Sequence, residues 1–163
     1  MRSFLRISNQ AIRRGGISLM LVTGLAIGAP ALAAEKIEVL SVTASSTDGM
    51  LMDAVDGDAT TAWQNKHAGE RDAWLGVHFA QAGKLKGVRI LTDVMGPDVA
   101  LEIETSSDGE SYTSQLRSLH ALKDKLELIF PKPVSALYLR VRFHYTGKQT
   151  APRFRIRELE PLG

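Results

Sequence analysis

Beyond residue 37, apolar and polar side chains alternate with a period of two. Leu75, Val77 and Phe79 share one parity, as do Val88 and Ile90, then Val99, Leu101 and Ile103, then Leu126, Leu128 and Phe130. Successive side chains of an extended strand point to opposite faces, so this pattern predicts half-buried strands. The clearest case lies between 137 and 144, where Leu137, Leu139, Val141 and Phe143 alternate with Tyr138, Arg140, Arg142 and His144. One side of that strand suits a core and the other suits water. Turn formers separate the strands: Asp48-Gly49, Asp56-Gly57-Asp58, Gly96-Pro97-Asp98, Ser107-Asp108-Gly109 and Thr146-Gly147-Lys148. Short strands punctuated this way predict an all-β antiparallel sandwich. No sustained helical stripe interrupts them, although Leu116 to Leu122 could form one turn of helix.

The amino-terminal stretch follows another pattern. Arg2, Arg6, Arg13 and Arg14 precede an apolar run from Ile17 to Gly28, Pro30 breaks it, and Ala31-Leu32-Ala33 supplies the small residues of a cleavage site. These features predict a secretory signal peptide, and the run falls short of the ~20 apolar residues that a bilayer span needs. The chain therefore divides into a leader, residues 1–33, and one domain, residues 34–163, destined for the periplasm or the exterior. The division changes the charge balance. The 163 residues carry 20 Lys and Arg against 18 Asp and Glu, but four of the arginines and none of the acids lie in the leader, which leaves 16 basic and 18 acidic residues in the domain. A net charge near −2 gives no broad electrostatic reason for nucleic-acid binding. With no cysteine, an exported fold must rely on packing or on a bound metal.

Two stretches suggest cation chemistry. In AVDGDATTAW, residues 54–63, Asp56, Asp58 and Thr61 set three oxygen-bearing side chains around a glycine turn. Calcium takes six to eight such oxygens, and a glycine between two acids lets the chain curl tightly enough to aim several inward. The same sequence would also serve as an Asp-Gly turn whose carboxylates cap backbone amides. Near the carboxy terminus Phe154, Ile156 and Glu158 share one parity while Arg153, Arg155 and Arg157 share the other. Strict alternation points the Glu158 carboxylate inward, which is costly unless it is paired or metal-bound; a bulge before Leu159 would turn it outward.

Taken in order, AVDGDATTAW, Trp74-Leu75-Gly76-Val77 with Phe79, Ser107-Asp108-Gly109 with Tyr112, Phe130-Pro131 with Pro133, Tyr138-Leu139-Arg140-Val141, and Ile156-Arg157-Glu158-Leu159-Glu160 resemble the discoidin, or coagulation factor V/VIII type C, domain. Bacterial relatives of that domain include the family 32 carbohydrate-binding modules. The resemblance spans about residues 37 to 160. It implies a galactose-binding-like jelly-roll sandwich whose ligands dock on loops at one end, without catalysis by the module. It also implies a structural Ca2+ held by the carbonyl of Asp53, the carboxylate of Asp56, the carbonyl of Asp58, Thr61, the carbonyl of Arg157 and the carboxylate of Glu158. Two departures stand out: the disulfide of many animal members is missing, and His78 replaces the Asp that usually follows the W-L-x-V signature.

The resemblance implies that Trp63 and Trp74 occupy positions that usually pack at the sandwich edge, so core packing is expected of them more than stacking on sugar. The polar loop between them offers better ligand-binding candidates: Asn65, His67, Glu70 and Arg71 combine donors and acceptors suited to sugar hydroxyls. Tyr145, before the last strand, could add an apolar face. If strands 137–144 and 153–157 pair, Arg140, Arg142, His144, Arg153 and Arg155 gather with Arg157 on one outer face. Like charges opposed across strands repel, so acids such as Glu102 and Glu104 are expected to neutralise that face, or an anionic partner meets it. Catalysis has no support in a thiol, a nucleophile elbow or paired histidines, since His67, His78, His120 and His144 stand apart. The expected function is an exported binding module for a glycan or polysaccharide. The alternatives are an envelope adaptor that docks another protein and, less favoured, peripheral attachment to anionic lipid.

Overall fold

The computed structural model describes residues 37–93, 98–119 and 124–163, so the expected signal peptide, residues 1–33, lies outside the described residues. The strands are β1 (Val39–Ala44), β2 (Trp63–Gln64), β3 (Asp72–Thr92), β4 (Val99–Ser106), β5 (Thr113–Leu119), β6 (Lys125–Tyr145) and β7 (Arg155–Leu162), with one short 3-10 turn at Leu51–Ala54. All pairings are antiparallel, in the order β2-β7-β3-β6-β4-β5 with β1 on the free side of β3. This is the all-β sandwich that the alternation predicts. Its two layers share their longest strands. The first part of β3 lies between β1 and the end of β6, with Val77 opposite both Val42 and Leu139. After a register shift between His78 and Gly83, the rest of β3 lies between the start of β6 and β7, with Ile90 opposite both Leu126 and Leu159. A second shift falls at Leu85–Gly87. There a side chain is sterically barred, because a β-carbon on Gly87 would collide with the Leu128 carbonyl oxygen and come within 3.0 Å of Ile129 Cα.

The core fills the space between the layers. Leu75, Val77, Phe79, Leu139, Val141, Phe143, Leu101 and Ile103 enter from one side, and Trp63, Val88, Ile90, Phe154, Ile156 and Leu159 from the other. Phe143 and Phe154 stack across the middle with ring centroids 5.0 Å apart. Side chains of this size, fully withdrawn from water, each contribute roughly 1.5–3 kcal/mol. That burial replaces the covalent ties that a cysteine-free chain cannot make.

Four local expectations change. The stretch Leu116–Leu122 is strand as far as Leu119, because Leu116 and Leu119 pair with Ile103 and Ala100 on β4; its last residues lie outside the described set. Strand β7 is bulged: Leu91 pairs with Glu158 but Thr92 pairs with Ile156, skipping Arg157. Leu159 thereby takes the buried position and Glu158 moves to the rim. Trp63 is buried as expected, whereas Trp74 is half-buried on the outer face, its ring beside Gly76 and beneath the Arg140 guanidinium.

The fourth change concerns the basic face. Strands β6 and β7 do not pair, since β3 runs between them, so no arginine ladder forms. Each of these basic side chains meets an acid, in places a shared one. Arg140 Nε binds Glu104 Oε2 at 2.6 Å, Arg142 lies 3.6 Å from the same oxygen, and His144 bridges Asp72 and Glu102. Arg153 pairs with Asp48 at 2.7 Å, while Arg155 and Arg157 share Asp93. The expected neutralisation by Glu102 and Glu104 holds for β6, and an anionic partner is not needed there. Arg140 also stacks 3.8 Å above the Tyr112 ring, and His78 stacks on Tyr138 with centroids 4.3 Å apart.

Candidate functional site

Two loop clusters flank the short strand β2. The second, residues 65–71, is fastened to the loop between β6 and β7. Asn65 N–H donates to the Phe154 carbonyl at 3.1 Å, Gly69 N–H to Ala151 at 2.8 Å, and Tyr145 N–H to Arg71 at 2.8 Å. Arg153 adds a bond to the Lys66 carbonyl at 2.8 Å. A loop tied at four places to the end of β6 and the loop that follows it presents its side chains in fixed positions, which a binding rim requires.

Asn65 and Glu70 build this rim and do not face out from it. The Asn65 side chain is fully buried. Its Oδ1 accepts from Phe154 N–H at 2.6 Å, and its Nδ2 donates to the His67 carbonyl at 2.8 Å and to Glu70 Oε2 at 3.1 Å. Every hydrogen-bonding site useful for a ligand is thus spent inside, which removes Asn65 from the ligand-contacting set. Glu70 likewise accepts from Ser46 Oγ at 2.8 Å and from His67 N–H at 3.2 Å. Partial burial pushes the Glu70 carboxyl up, but the bonds from Asn65, Ser46 and His67 outweigh it and hold it below the ordinary carboxylate range.

The outward groups are His67, Arg71 and Tyr145. His67 and Arg71 are exposed and Tyr145 is half-buried. Arg71 Nη1 donates to the carbonyls of Tyr145 at 3.2 Å and Gly147 at 2.8 Å, and the guanidinium lies 5.6 Å above the Tyr145 ring. Gly147 is required beside that ring: a β-carbon there would clash with the Tyr145 hydroxyl and fall 2.8 Å from Asp98 Oδ2. The contributions of Ser46, Lys66 and Gly147 were not visible in the sequence. Two of the three act through backbone atoms, which residue type does not reveal.

The first cluster, residues 53–61, gathers oxygens. Thr61 Oγ1 lies 2.8 Å from the Asp58 carbonyl, 3.0 and 3.2 Å from the Asp56 carboxylate oxygens, and 3.2 Å from the Asp53 carbonyl. A hydroxyl has one hydrogen to give; of the four acceptor oxygens around it, Asp56 Oδ1 also accepts from Asp58 N–H at 2.8 Å and the Asp58 carbonyl from Thr61 N–H at 3.1 Å, which leaves Asp56 Oδ2 and the Asp53 carbonyl competing for it. The Asp58 carboxylate turns the other way, to the Thr60 amide and hydroxyl, which lower its pKa. Glu158 reaches the cluster from β7, accepting from Gly57 N–H at 3.1 Å. Its carboxyl is raised mainly by burial and further by the charges of Asp56, Glu160 and Asp58, against the lowering by Gly57. Arg157 sits at the adjoining bulge, with its guanidinium on Asp93. Among the described residues no three His, Cys, Asp or Glu side chains form a metal-ligating group. The convergence here is of carbonyl, hydroxyl and carboxylate oxygens, the donor set a hard cation such as Ca2+ accepts, and the acceptor surplus fits it.

Comparison with known proteins places this geometry in a family. No curated protein sequence matches the chain. Solved structures do. Chitosan-binding module 1 of a chitosanase/glucanase from Paenibacillus sp. IK-5 is similar with a TM-score of 0.67 at 20% identity, covering 80% of this chain and 99% of that one. The family 32 module of Clostridium perfringens NanJ, solved with galactose, gives 0.62 at 20% identity over 76% and 93%. A pectin-binding carbohydrate-binding module gives 0.60 at 22% identity over 77% and 91%. These likenesses establish the fold. The F5/8 type C domain model matches residues 41–158, most of the chain, and the protein therefore belongs to the F5/8 type C, or discoidin, domain family.

Proposed function

We propose that the domain is an exported, non-catalytic module that holds a glycan on the rim formed by residues 65–71 and 145–153. The observation that carries this reading is the fixed, outward placement of His67 and Arg71, on a loop that Asn65, Glu70 and Arg153 lock in place, beside Tyr145 at the end of β6. A guanidinium and an imidazole give and take hydrogen bonds with sugar hydroxyls, and the Tyr145 ring supplies an apolar surface for sugar C–H groups. Structural neighbours that are carbohydrate-binding modules, among them one solved with galactose and one with chitotriose, support the ligand class. One shallow site on one small domain makes few contacts, so the affinity is weak and useful binding comes from several copies or a neighbouring partner.

The oxygen cluster takes a separate, structural part in the proposal. Bound Ca2+ would be held by the carbonyls of Asp53, Asp58 and Arg157, the carboxylates of Asp56 and Glu158, and Thr61. It would supply positive charge where acceptors crowd and tie the 53–61 loop to β7. Titration of the purified protein with a panel of oligosaccharides tests the main reading. Binding in the millimolar range, weakened by His67→Ala with an unchanged melting temperature, is the expected result. Failure of every sugar, together with recovery of one defined protein from envelope extract, would replace the glycan module with an adaptor.

A further inference from the structure

A second concavity lies apart from the rim. Its walls are the start of β1, the 3-10 turn with the loop after it, and the last half of β7, and none of its residues belongs to loops 65–71 or 145–153. It encloses about 1030 Å3, the top of the range for small-molecule clefts, ~300–1,000 Å3. The topology leaves it open. Strands β1 and β7 both lie on the side of β3 opposite β6, β1 against residues 75–79 and β7 against residues 87–92. Strand β1 pairs with β3 alone, and over residues 158–162 so does β7, because β2 reaches only Arg155 and Ile156. Two free strand edges therefore border the groove, although Pro161 removes one donor from β7. Such edges are where extended segments of other proteins add.

The floor of the groove is apolar and its rim is acidic. Ile37, Val39, Met52, Val55, Leu159 and Leu162 line it, and Met52 is 46% exposed beside Met50 at 71%. Exposed methionines, unbranched and adaptable, suit a surface that accepts a protein segment. The four charged lining residues, Glu38, Asp56, Glu158 and Glu160, are all acids, and Asp53 and Asp58 add to their field from the same loop. Most bases nearby are spent elsewhere. Arg89 holds Glu160 and Glu127, Lys86 donates to the Gly163 carbonyl at 3.0 Å, and Arg157 pairs with Asp93; Lys84 is exposed on β3. Among the described residues no Lys or Arg lies within ion-pair distance of Glu38, Asp56 or Glu158.

We propose that this groove docks an extended segment of another protein that carries lysine or arginine among apolar residues. The apolar side chains take the floor, and the cations meet Glu38, Asp56 and Glu158. The same acids argue against other occupants: anionic lipid is repelled, and a second copy seated groove to groove would set like charges against each other. Calcium on the 53–61 cluster would draw on Asp56 and Glu158 as well, so the ion and the segment weaken each other. The groove is independent of the glycan rim, and it gives the neighbouring partner that weak sugar binding calls for a place to dock.

Fluorescence anisotropy with a labelled peptide of four Lys-Leu repeats and with its Glu-Leu counterpart tests the proposal, in chelator so that no ion covers Asp56 and Glu158. The lysine peptide is expected to bind about tenfold or more tightly than the glutamate peptide, and to shift amide resonances of residues 37–39, 52–59 and 158–163. Glu38→Lys should weaken it roughly 3- to 10-fold, the loss of one surface pair plus the repulsion that replaces it, and Met52→Gln should weaken it several-fold. Both side chains are exposed, so the variants should melt like the native protein. Glu110→Lys makes the same charge change on the exposed turn between β4 and β5 and should leave the affinity within about twofold. Equal losses in Glu38→Lys and Glu110→Lys would reduce the binding to unspecific charge attraction and overturn the groove. Resonance shifts at 65–71 instead, or no binding of either peptide, overturn it too, as does a dimer of the protein alone that Met52→Gln dissociates, which would hand the groove to a second copy. Oligosaccharide titrations of the same variants should match those of the native protein, so failure here leaves the glycan reading standing.

Discussion

The two loop clusters on either side of β2 are built from similar polar residues and reach opposite ends. Around Thr61 the chain brings together acceptors: two carbonyls and a carboxylate crowd one hydroxyl. Around Asn65 it matches each acceptor with a donor, so that one amide and one carboxylate are satisfied almost entirely by backbone and Ser46. The first arrangement sets more acceptors around one hydroxyl than its single hydrogen can serve. The second is complete and rigid, and turns its unspent donors outward. Polarity alone therefore does not mark a binding loop; the balance of donors against acceptors does.

The largest effect should come from the residue that joins the clusters. Trp63 is fully buried, and its indole N–H donates to the Ser46 carbonyl at 3.1 Å. Trp63→Ala should lower stability by roughly 3–5 kcal/mol, read as the shift in urea midpoint. A variant that keeps wild-type stability and loses only ligand would show that the ring serves the sugar and not the core.

The next change separates the clusters directly. If the Thr61 cluster holds Ca2+, saturating calcium should raise the melting temperature relative to chelator, by on the order of 10 °C when the ion exceeds its dissociation constant ~100-fold. Asp56→Ala should melt low in both buffers, and removing the ion should affect glycan affinity much less than stability. Identical melting of the native protein with and without calcium would leave the acceptor crowding to ordinary turn geometry. On the other side of β2, Asn65→Ala should cost about 1–3 kcal/mol, since Phe154 N–H loses its buried acceptor, and should weaken ligand binding only through the loosened loop. A loss of sugar binding with stability intact would return Asn65 to direct contact.

Alternation read the strands well where one face is wet and the other dry: Leu75, Val77, Phe79, Leu139, Val141 and Phe143 are all buried. It failed where the ladder slips. The bulge at Arg157 exchanges Glu158 for Leu159, and a period-two count cannot see one extra residue. Pairing was the other gap. Adjacent strands in a chain often pair, which put 137–144 against 153–157; instead β3 separates them, and each arginine finds a distant acid such as Glu104, Asp48 or Asp93. Asn65 and Arg71 looked alike as loop polars. Which one points inward depends on the Phe154 amide and the Gly147 carbonyl, contacts made across the fold by groups every residue has.

The smallest predicted effect is a pH dependence that belongs to the second cluster alone. The Glu70 carboxyl is held below its ordinary value of 4.5 in the folded protein, so the folded state binds that proton less readily than the unfolded chain. Its contribution to stability is therefore present above the unfolded value and is lost as pH falls through the lowered folded value. Glu70→Gln keeps the size of the side chain and removes the titration, so the difference in melting temperature between native protein and variant should be greatest near neutrality and shrink as pH drops below 4.5. The change should stay modest, because one side of the carboxylate meets solvent. A gap that stays constant or widens in acid would mean that Glu70 is not held as a charged acceptor by Asn65, Ser46 and His67, and the second cluster would then be no better balanced than the first.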